Sequence, residues 1–233
     1  MKQISKHLYQ ISLGSVNTFL IEDNGLTLVD TGFKSSRDKI FQAIRNGGKK
    51  PDDIKQVILT HSHPDHSGSV ADIKRTLGVP VYAHPDDAIL VEAGIGGRLP
   101  HQPSPGLANW LLFRLFIKNS PNETEMCRID ERIQDGDILP IAGGIQVIHT
   151  PGHSKGHVSL LLKADRVLIG GDICANMFGL DLSTVYEDRQ LGVQSILKVA
   201  EQNFDKAVFG HGKPIICGAN VKLKHKFSSL ANT

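Results

Sequence analysis

Apolar residues in the first half of the chain fall into short runs, which polar segments containing glycine or proline separate. Runs of this length predict buried strands, and Asp23-Asn24-Gly25 between two of them is typical of a hairpin turn. Apolar positions at helical spacing predict two helices, each followed by glycine. The predicted elements are strands at 15–21 and 26–29, a helix at 36–45, a strand at 57–59, a helix at 67–77 and a strand at 79–83.

The second half resembles the first in the order of its elements. Its apolar runs predict strands at 145–149, 157–162, 166–169 and 207–209, with a helix at 191–201 before the last strand. Two strand-rich halves, each with helices, predict two packed sheets with helices outside them. The fold class is therefore an α/β sandwich.

The stretch from about 94 to 124 departs from this rhythm. Its glycines and prolines surround an apolar block at 110–117, which predicts a short helix that Arg114 alone interrupts. Such a surface must face the core, another subunit, a lipid or a substrate, because exposing it to water is unfavourable. A helix packed on the core is one interpretation. We predict instead that 106–118 is a mobile apolar cover over the substrate pocket, since long insertions are often functional.

Composition limits the classes of partner. A formal net charge of +2 gives no strong attraction to nucleic acid or to an anionic membrane. No apolar run reaches the length of about 18 residues that a transmembrane helix needs. The N-terminal residues lack a signal-peptide pattern, and the three cysteines are widely separated. We expect a cytoplasmic protein with a small-molecule substrate, without nucleic-acid or membrane partners, and with homodimer formation left open.

A cluster of metal-binding residue types directly follows the strand at 57–59. It consists of His61, His63, Asp65 and His66. In an extended segment the first two histidines point the same way, and the turn at Pro64 aims the other two residues at a second metal nearby. Three further candidates follow apolar runs and lie among glycines: His153, Asp172 and His211. Imidazole and carboxylate ligands suit zinc, and also iron and manganese.

The patterns H-x-H-x-D-H, Pro-Gly-His, Gly-Asp and Gly-His-Gly together resemble the metallo-β-lactamase superfamily over almost the whole chain. The resemblance implies a single domain, 1–233, that is a four-layer αββα sandwich with an insertion at about 94–124. It implies two divalent metals, most simply zinc, with manganese and iron as alternatives. The implied ligands are His61, His63 and His153 for the first metal, Asp65, His66 and His211 for the second, and Asp172 as a bridge. Asp30 resembles the acidic residue that braces the His-rich loop, and His157 is a weaker candidate for a supporting role.

The superfamily acts on β-lactams, thioesters, lactones, phosphodiesters and RNA, and some members perform iron redox chemistry, so the fold leaves the substrate open. His63 stands where oxygen-reducing diiron members usually have Glu, and Asp172 stands where one main group of β-lactamases uses Cys. We predict a hydrolase of small ester, thioester or lactone substrates that acts through a metal-bound hydroxide, with Asp65 as a catalytic residue that steers it or receives a proton. The alternatives are a phosphodiesterase, a mononuclear iron sulfur-dioxygenase and a non-catalytic binding protein.

Overall fold

The computed structural model describes residues 1–230. The strands in this range are β1 (Lys2–Gln3), β2 (Leu8–Ser12), β3 (Asn17–Glu22), β4 (Leu26–Val29), β5 (Ile54–Ile58), β6 (Val81–Ala83), β7 (Gln102–Pro103), β8 (Glu131–Arg132), β9 (Ile138–Leu139), β10 (Ile145–His149), β11 (Val158–Leu162), β12 (Val167–Ile169), β13 (Val185–Tyr186) and β14 (Lys206–Val208). The α-helices are α1 (Arg37–Asn46), α2 (Pro64–Ser67), α3 (Val70–Leu77), α4 (Pro85–Ala93), α5 (Leu107–Leu112), α6 (Arg189–Ala200) and α7 (Ala219–Phe227). A π-helical turn, Phe113–Ile117, continues α5, and short 3-10 turns lie at Pro51–Asp53 and Ser228–Leu230.

The strands form two main sheets. The first has the order β1-β2-β3-β4-β5-β6-β8, and the second has the order β14-β12-β11-β10-β9. The strands from β4 to β8 in the first sheet run parallel to one another, as do β12 and β14 in the second. A two-stranded pair, β7 with β13, joins the insertion to the segment before α6.

Side chains on both faces of the central strands are buried, which explains their continuous apolar sequences. Because successive side chains in a strand point to opposite faces, Phe19 and Ile21 of β3 pack between the two sheets, whereas Leu20 packs under the helices. In the second sheet Leu160 faces the first sheet and Leu161 faces away from it. Each sheet is thus covered by the other sheet on one side and by helices on the other.

The outer helices complete four layers. Buried residues of α1, α3 and α4 join the outer face of the first sheet in one apolar cluster, which includes Ile40, Ile73 and Val91. Those of α6 and α7, such as Ile196 and Phe227, join the outer face of the second sheet. This arrangement confirms the αββα sandwich, whose packing places the ends of several strands at a common edge.

Some predicted elements differ in detail. The helix predicted at 67–77 begins three residues later, as α3, and the short helix α2 precedes it. The two are separate because the His66 carbonyl accepts hydrogen bonds from the backbone N–H and the hydroxyl of Thr31, at 2.6 and 2.8 Å. That carbonyl is therefore occupied where a continuous helix would use it. Sequence analysis did not predict α4 or α7. The strand and helix ends otherwise shift by a few residues, which is the usual spread for element boundaries.

The insertion forms the predicted helix, since α5 and the π-helical turn run without a break from 107 to 117. None of these residues is buried, and Leu112, Phe113 and Ile117 are half-buried, so the helix lies outside the core and packs at most on its edge. Among residues 1–230, no helix combines the length and the apolar character that crossing a bilayer requires.

Candidate metal centre

The seven predicted ligands lie at one edge of the sandwich, beyond the C-terminal ends of four strands. His61 and His63 follow β5, Asp65 and His66 lie on α2, and His153, Asp172 and His211 follow β10, β12 and β14. Hydrogen bonds join the two sheets at this edge: Val158 N–H donates to the Thr60 carbonyl at 2.9 Å, and Asn17 N–H donates to the Gly210 carbonyl at 2.7 Å. The edge is therefore held together by backbone contacts between the sheets.

The ligand atoms form three overlapping groups. These are His61, His63 and His153; His61, His66 and Asp172; and Asp65, His66 and His211, with the ligand atoms of each group within 4.8 Å of one another. His153 Nε2 lies 2.9 Å from His63 Nδ1 in the first group. In the third group, Asp65 Oδ2 lies 3.2 Å from His211 Nε2 and 3.8 Å from His66 Nε2. The structure thus brings all seven predicted residues into one cluster.

Asp172 lies between the first and third groups. Its Oδ1 is 3.5 Å from His66 Nε2, and its Oδ2 is 3.5 Å from His153 Nε2 and 3.2 Å from His211 Nε2. Gly210 makes this position accessible, because a Cβ at that residue would lie 2.1 Å from Asp172 Oδ1 and 2.5 Å from a ring carbon of His66. One carboxylate is therefore within reach of both groups.

Backbone carbonyls orient two of the histidine rings by contacting the nitrogen that lies away from the cluster. The Nδ1 atoms of His153 and His211 contact the carbonyls of Val185 and Ser15 at 2.8 and 2.7 Å. Carbonyl oxygens accept only, so each Nδ1 carries a proton and each ring turns its Nε2 towards the cluster. This is the arrangement that metal-binding histidines normally have.

Asp30 hydrogen-bonds to both ends of the His-rich loop, at Thr60 and at His66. Its Oδ2 accepts hydrogen bonds from His66 Nδ1 and from the Thr60 hydroxyl, both at 2.8 Å, and its Oδ1 accepts from Thr60 N–H at 2.8 Å. The Thr60 hydroxyl also lies 2.9 Å from His61 Nδ1. Asp30 is fully buried and has a φ of 61°, a left-handed backbone that is uncommon outside glycine. A strained residue of this kind persists where its surroundings hold it firmly.

His157 lies beside the cluster and outside all three groups. Its Nε2 accepts a hydrogen bond from the Asp172 backbone N–H at 2.9 Å, and its Nδ1 lies 2.8 Å from the Thr150 hydroxyl. Burial lowers the pKa of His157 to about 3, so the ring is neutral at pH 7. Both ring nitrogens are used, and the side chain holds the backbone of Asp172 in place.

Sequence analysis missed a buried carboxylate at Asp87, on α4. Its Oδ2 accepts hydrogen bonds from Ser62 N–H at 3.0 Å and from the Ser154 hydroxyl at 2.6 Å, and its Oδ1 accepts from Gly156 N–H at 2.8 Å. Ser62 lies between the first two ligand histidines, and Ser154 directly follows His153. Asp87 therefore joins the two loops that supply the first group.

The start of the insertion also contacts the cluster. Arg98 Nη1 lies 3.2 Å from Asp87 Oδ1 and 3.5 Å from Glu187 Oε1. The His101 ring lies 5.3 Å from the His63 ring between centroids. The Nε2 atoms of both rings are buried without a hydrogen-bond partner. Only the three-dimensional fold reveals this contact, because His101 has no motif around it.

Charge divides the cluster into two halves. Burial and the neighbouring histidines lower the pKa of His61 and of His153 well below the usual value. Burial acts in the same direction on His66 and His211, but Asp172 and Asp65 outweigh it and raise the pKa of both. Likewise, the pKa of Asp65 is lowered against the effect of burial, because of His66 and His211. The first group is therefore neutral at pH 7, and the third is a network of ionised partners.

The donor set fits divalent metal ions. Within residues 1–230, buried side-chain atoms without a hydrogen-bond partner concentrate here: His61 Nε2, His63 Nε2, His66 Nε2 and Asp172 Oδ1. Leaving such an atom unsatisfied costs about 1–3 kcal/mol, so several in one place indicate a missing partner. Imidazole nitrogens and carboxylates at this spacing are ligands that divalent metals accept.

An αββα sandwich with a His/Asp cluster of this kind at its edge defines a class of metal-dependent proteins. The family model of the metallo-beta-lactamase superfamily matches residues 11–211, and the chain belongs to that superfamily. The fold of this superfamily binds divalent metals, typically two.

Two relatives are similar in sequence. The chain is 24% identical to a probable metallo-hydrolase, YflN, of Bacillus subtilis, over 99% of this chain and 92% of that protein. It is 27% identical to an atrochrysone carboxyl ACP thioesterase of Pseudocercospora fijiensis, over 92% of this chain but only 53% of that protein's length. These relatives support a hydrolase of this superfamily.

Solved structures agree on the fold. BJP-1, a subclass B3 metallo-beta-lactamase of Bradyrhizobium japonicum, superposes with a TM-score of 0.72 at 22% identity, over 99% of this chain and 91% of that one. The MIM-2 metallo-beta-lactamase gives a TM-score of 0.73 at 18% identity, over 99% and 88% of the two chains. At this identity the likeness concerns the fold alone.

Proposed function

We propose that this protein is a two-metal hydrolase of small ester, thioester or lactone substrates. The observation that carries the proposal is the position of Asp172 between two histidine groups, with its two oxygens 3.2–3.5 Å from three ligand nitrogens. We assign His61, His63 and His153 to one ion and Asp65, His66 and His211 to a second, with Asp172 shared. Zinc is the ion that we favour. Two bound ions would polarise a substrate carbonyl and lower the pKa of water towards neutrality.

Exposure indicates the side from which substrate approaches. The side chains of Asp65 and His211 are each 21% exposed, whereas that of Asp172 is 5% and that of His66 is 0% exposed. Substrate therefore reaches the cluster from the side of Asp65 and His211. Because Asp65 is ionised and open to this side, we propose that it orients the reacting water by accepting a hydrogen bond, and that it receives the proton released during attack.

Other candidate acid–base groups are already engaged. The Tyr186 hydroxyl donates to the Ile173 carbonyl at 2.6 Å and accepts from Ser183 N–H at 3.0 Å, and the residue is fully buried. Cys174 is also fully buried, which raises the pKa of its thiol well above the usual value. Neither side chain is placed to donate a proton to a leaving group, which strengthens the case for Asp65.

Exposed apolar side chains lie on two loops that adjoin the cluster. Phe178 is 90% exposed, on a loop that is tied to the cluster because Asn176 N–H donates to the His211 carbonyl at 3.0 Å. On the second loop Leu99, two residues beyond Gly97, is 67% exposed. A Cβ added to Gly97 would lie 2.8 Å from the His63 ring, so this loop adjoins the site. These side chains favour a substrate whose non-reacting part is apolar, such as an acyl chain. The similarity to a fungal thioesterase supports the same class.

A substrate panel tests the proposal. Zinc-loaded protein should hydrolyse a p-nitrophenyl ester, an acyl thioester or a lactone with a kcat/KM of roughly 10⁴ M⁻¹s⁻¹ for the best of them. We expect hydrolysis of bis(p-nitrophenyl) phosphate to be slower by about a hundredfold or more. The His61→Ala variant controls for contaminating esterases. A preference for the phosphodiester, or thiol oxidation that depends on iron, would show that the substrate class is wrong.

Metal occupancy should depend on pH in a defined order. His66 and His211 have raised pKa values and must lose protons before they bind a metal, whereas His61 and His153 are already neutral. Lowering the pH from about 7.5 to about 5.5 should therefore remove the metal at Asp65, His66 and His211 first. Elemental analysis after dialysis should show zinc content falling from two equivalents towards one. Simultaneous loss of both ions would contradict this division of the cluster.

A further inference from the structure

The helix at 107–117 presents an apolar surface to solvent. The side chains turned towards the body of the protein are only half-buried; they are Asn109, Leu112, Phe113 and Ile117. The outward side chains are 41–72% exposed and include Leu107, Trp110, Leu111, Leu115 and Phe116. A π-helical turn holds more residues than an α-helical turn. It keeps Ile117 on the inner face, while Phe116 stays 69% exposed.

The charged residues within this segment of the chain all have one sign. No aspartate or glutamate occurs from 94 to 122. Arg98 in that range pairs with Asp87 and Glu187, which leaves Arg114 and Lys118 as the positive charges of this surface. Arg114 and Lys118 are exposed on the helix itself, and the Arg114 guanidinium carbon lies 5.6 Å from the centroid of the Trp110 ring. The net charge of the whole chain is only +2, which conceals this local excess. The sequence-based expectation of no membrane partner rested on that net charge and on the absence of a long apolar run.

We propose that the outward face of the 107–117 helix binds the surface of an anionic lipid bilayer, with the helix lying in the interface. Large apolar side chains, a tryptophan and basic residues on one helix are the combination that interfacial binding uses. The apolar side chains would enter the acyl boundary, and Arg114 and Lys118 would reach the lipid phosphates. This inference is independent of the substrate that the metal centre cleaves.

A second copy of the chain is a less favourable occupant of the same face. In a two-fold dimer the same patch meets itself, so Arg114 and Lys118 would approach their own counterparts. The segment contains no acidic residue that could neutralise them. Like charges placed together across an interface oppose association. An anionic bilayer, in contrast, supplies the missing negative charge.

The 107–117 helix is connected to the candidate metal centre through the rest of the insertion. Ser104 N–H donates to the Thr184 carbonyl at 2.9 Å, and β7 pairs with β13, whose Val185 carbonyl contacts the His153 ring. The insertion therefore joins the helix to the segment that orients a ligand histidine. A protein bound in this way would hold its site close to the bilayer surface.

Trp110 provides a direct test because it is the only tryptophan of the chain. Unmodified protein is titrated with vesicles of phosphatidylcholine, and with vesicles in which about a third of the lipid is phosphatidylserine. We expect a blue shift of the fluorescence and co-sedimentation with the anionic vesicles. Each basic residue at such a surface contributes about fivefold to affinity, so binding to neutral vesicles should be weaker by about tenfold or more. Equal binding to both vesicle types, or none to either, would overturn the proposal.

Variants distinguish binding through the outward face of the 107–117 helix from nonspecific hydrophobic adsorption. Leu107→Ser, Leu111→Ser and Phe116→Ser together keep the fluorophore and should reduce vesicle affinity at least about tenfold without changing the melting temperature, since all three side chains are exposed. The matched control is Ile89→Ser with Val221→Ser, which removes side chains that are 62% and 66% exposed elsewhere, and it should bind like the parent. A blue shift that depends on protein concentration alone, with sedimentation as a dimer, would identify a second copy as the occupant and overturn the lipid assignment.

Discussion

Replacing Asp172 by alanine is expected to reduce hydrolysis at least about a thousandfold and to lower the affinity for both metals. The two oxygens of this carboxylate lie 3.2–3.5 Å from ligand nitrogens of His66, His153 and His211. Its removal takes the shared negative charge from a buried cluster, so Asp65 would be the only carboxylate left among the proposed ligands to compensate two divalent ions. Elemental analysis after dialysis against a weak chelator should show less than one equivalent of zinc.

His211→Ala is the matched comparison for this variant. His211 lies at the open edge and contacts only Asp65 and Asp172 among the proposed ligands by ion pairing, so its loss should empty mainly the second position and leave about one equivalent bound. Asp172→Asn should fall between the two variants, because the amide keeps an oxygen donor but loses the charge. If Asp172→Ala retained two equivalents with normal affinity, the proposal of a shared carboxylate would be falsified.

The seven proposed ligands could be picked out of the sequence because their signals are local. Each ligand directly follows an apolar run that becomes a strand, and the ends of parallel strands meet at one edge of a sheet. In the H-x-H-x-D-H pattern the first two histidines directly precede Pro64, where the chain turns and α2 begins. Strand positions and ligand types could therefore be predicted together, and so could the sandwich that their order implies.

The supporting residues could not be predicted in the same way. Asp87 is 67 residues away from Ser154 in the sequence, and nothing near either residue marks the hydrogen bond between them. His101 meets His63 only because the insertion folds back over the first ligand group. Contacts of this kind depend on how loops pack, which an apolar pattern does not encode. Solvent exposure of the apolar side chains at 106–118 could not be predicted either. The composition of this segment indicates an unusual surface, but only the fold shows that it is exposed.

The position of Asp87 leads to the second large effect, on stability. We expect Asp87→Ala to lower the free energy of unfolding by about 3–5 kcal/mol, because the buried carboxylate accepts hydrogen bonds from Ser62, Ser154 and Gly156 and all three donors would lose their partner. Urea denaturation measures this effect. It should be performed on protein treated with chelator as well as on zinc-loaded protein, so that lost metal binding is not mistaken for lost hydrogen bonding.

The neighbouring Asp86→Ala is the control, because Asp86 is 30% exposed in its side chain and pairs with exposed Lys155. Its effect should stay within about 1 kcal/mol, as for other surface ion pairs.

The Asp87 carboxylate should also affect metal binding, because it joins the loops that carry His61, His63 and His153. We therefore expect Asp87→Asn to reduce zinc affinity at that group by about tenfold to a hundredfold. The third group does not depend on these loops in the same way, since Asp30 holds His66 from the opposite side. An Asp87→Asn variant that folds, yet loses zinc equally from both groups, would show that Asp87 supports the edge as a whole rather than the first ligand group.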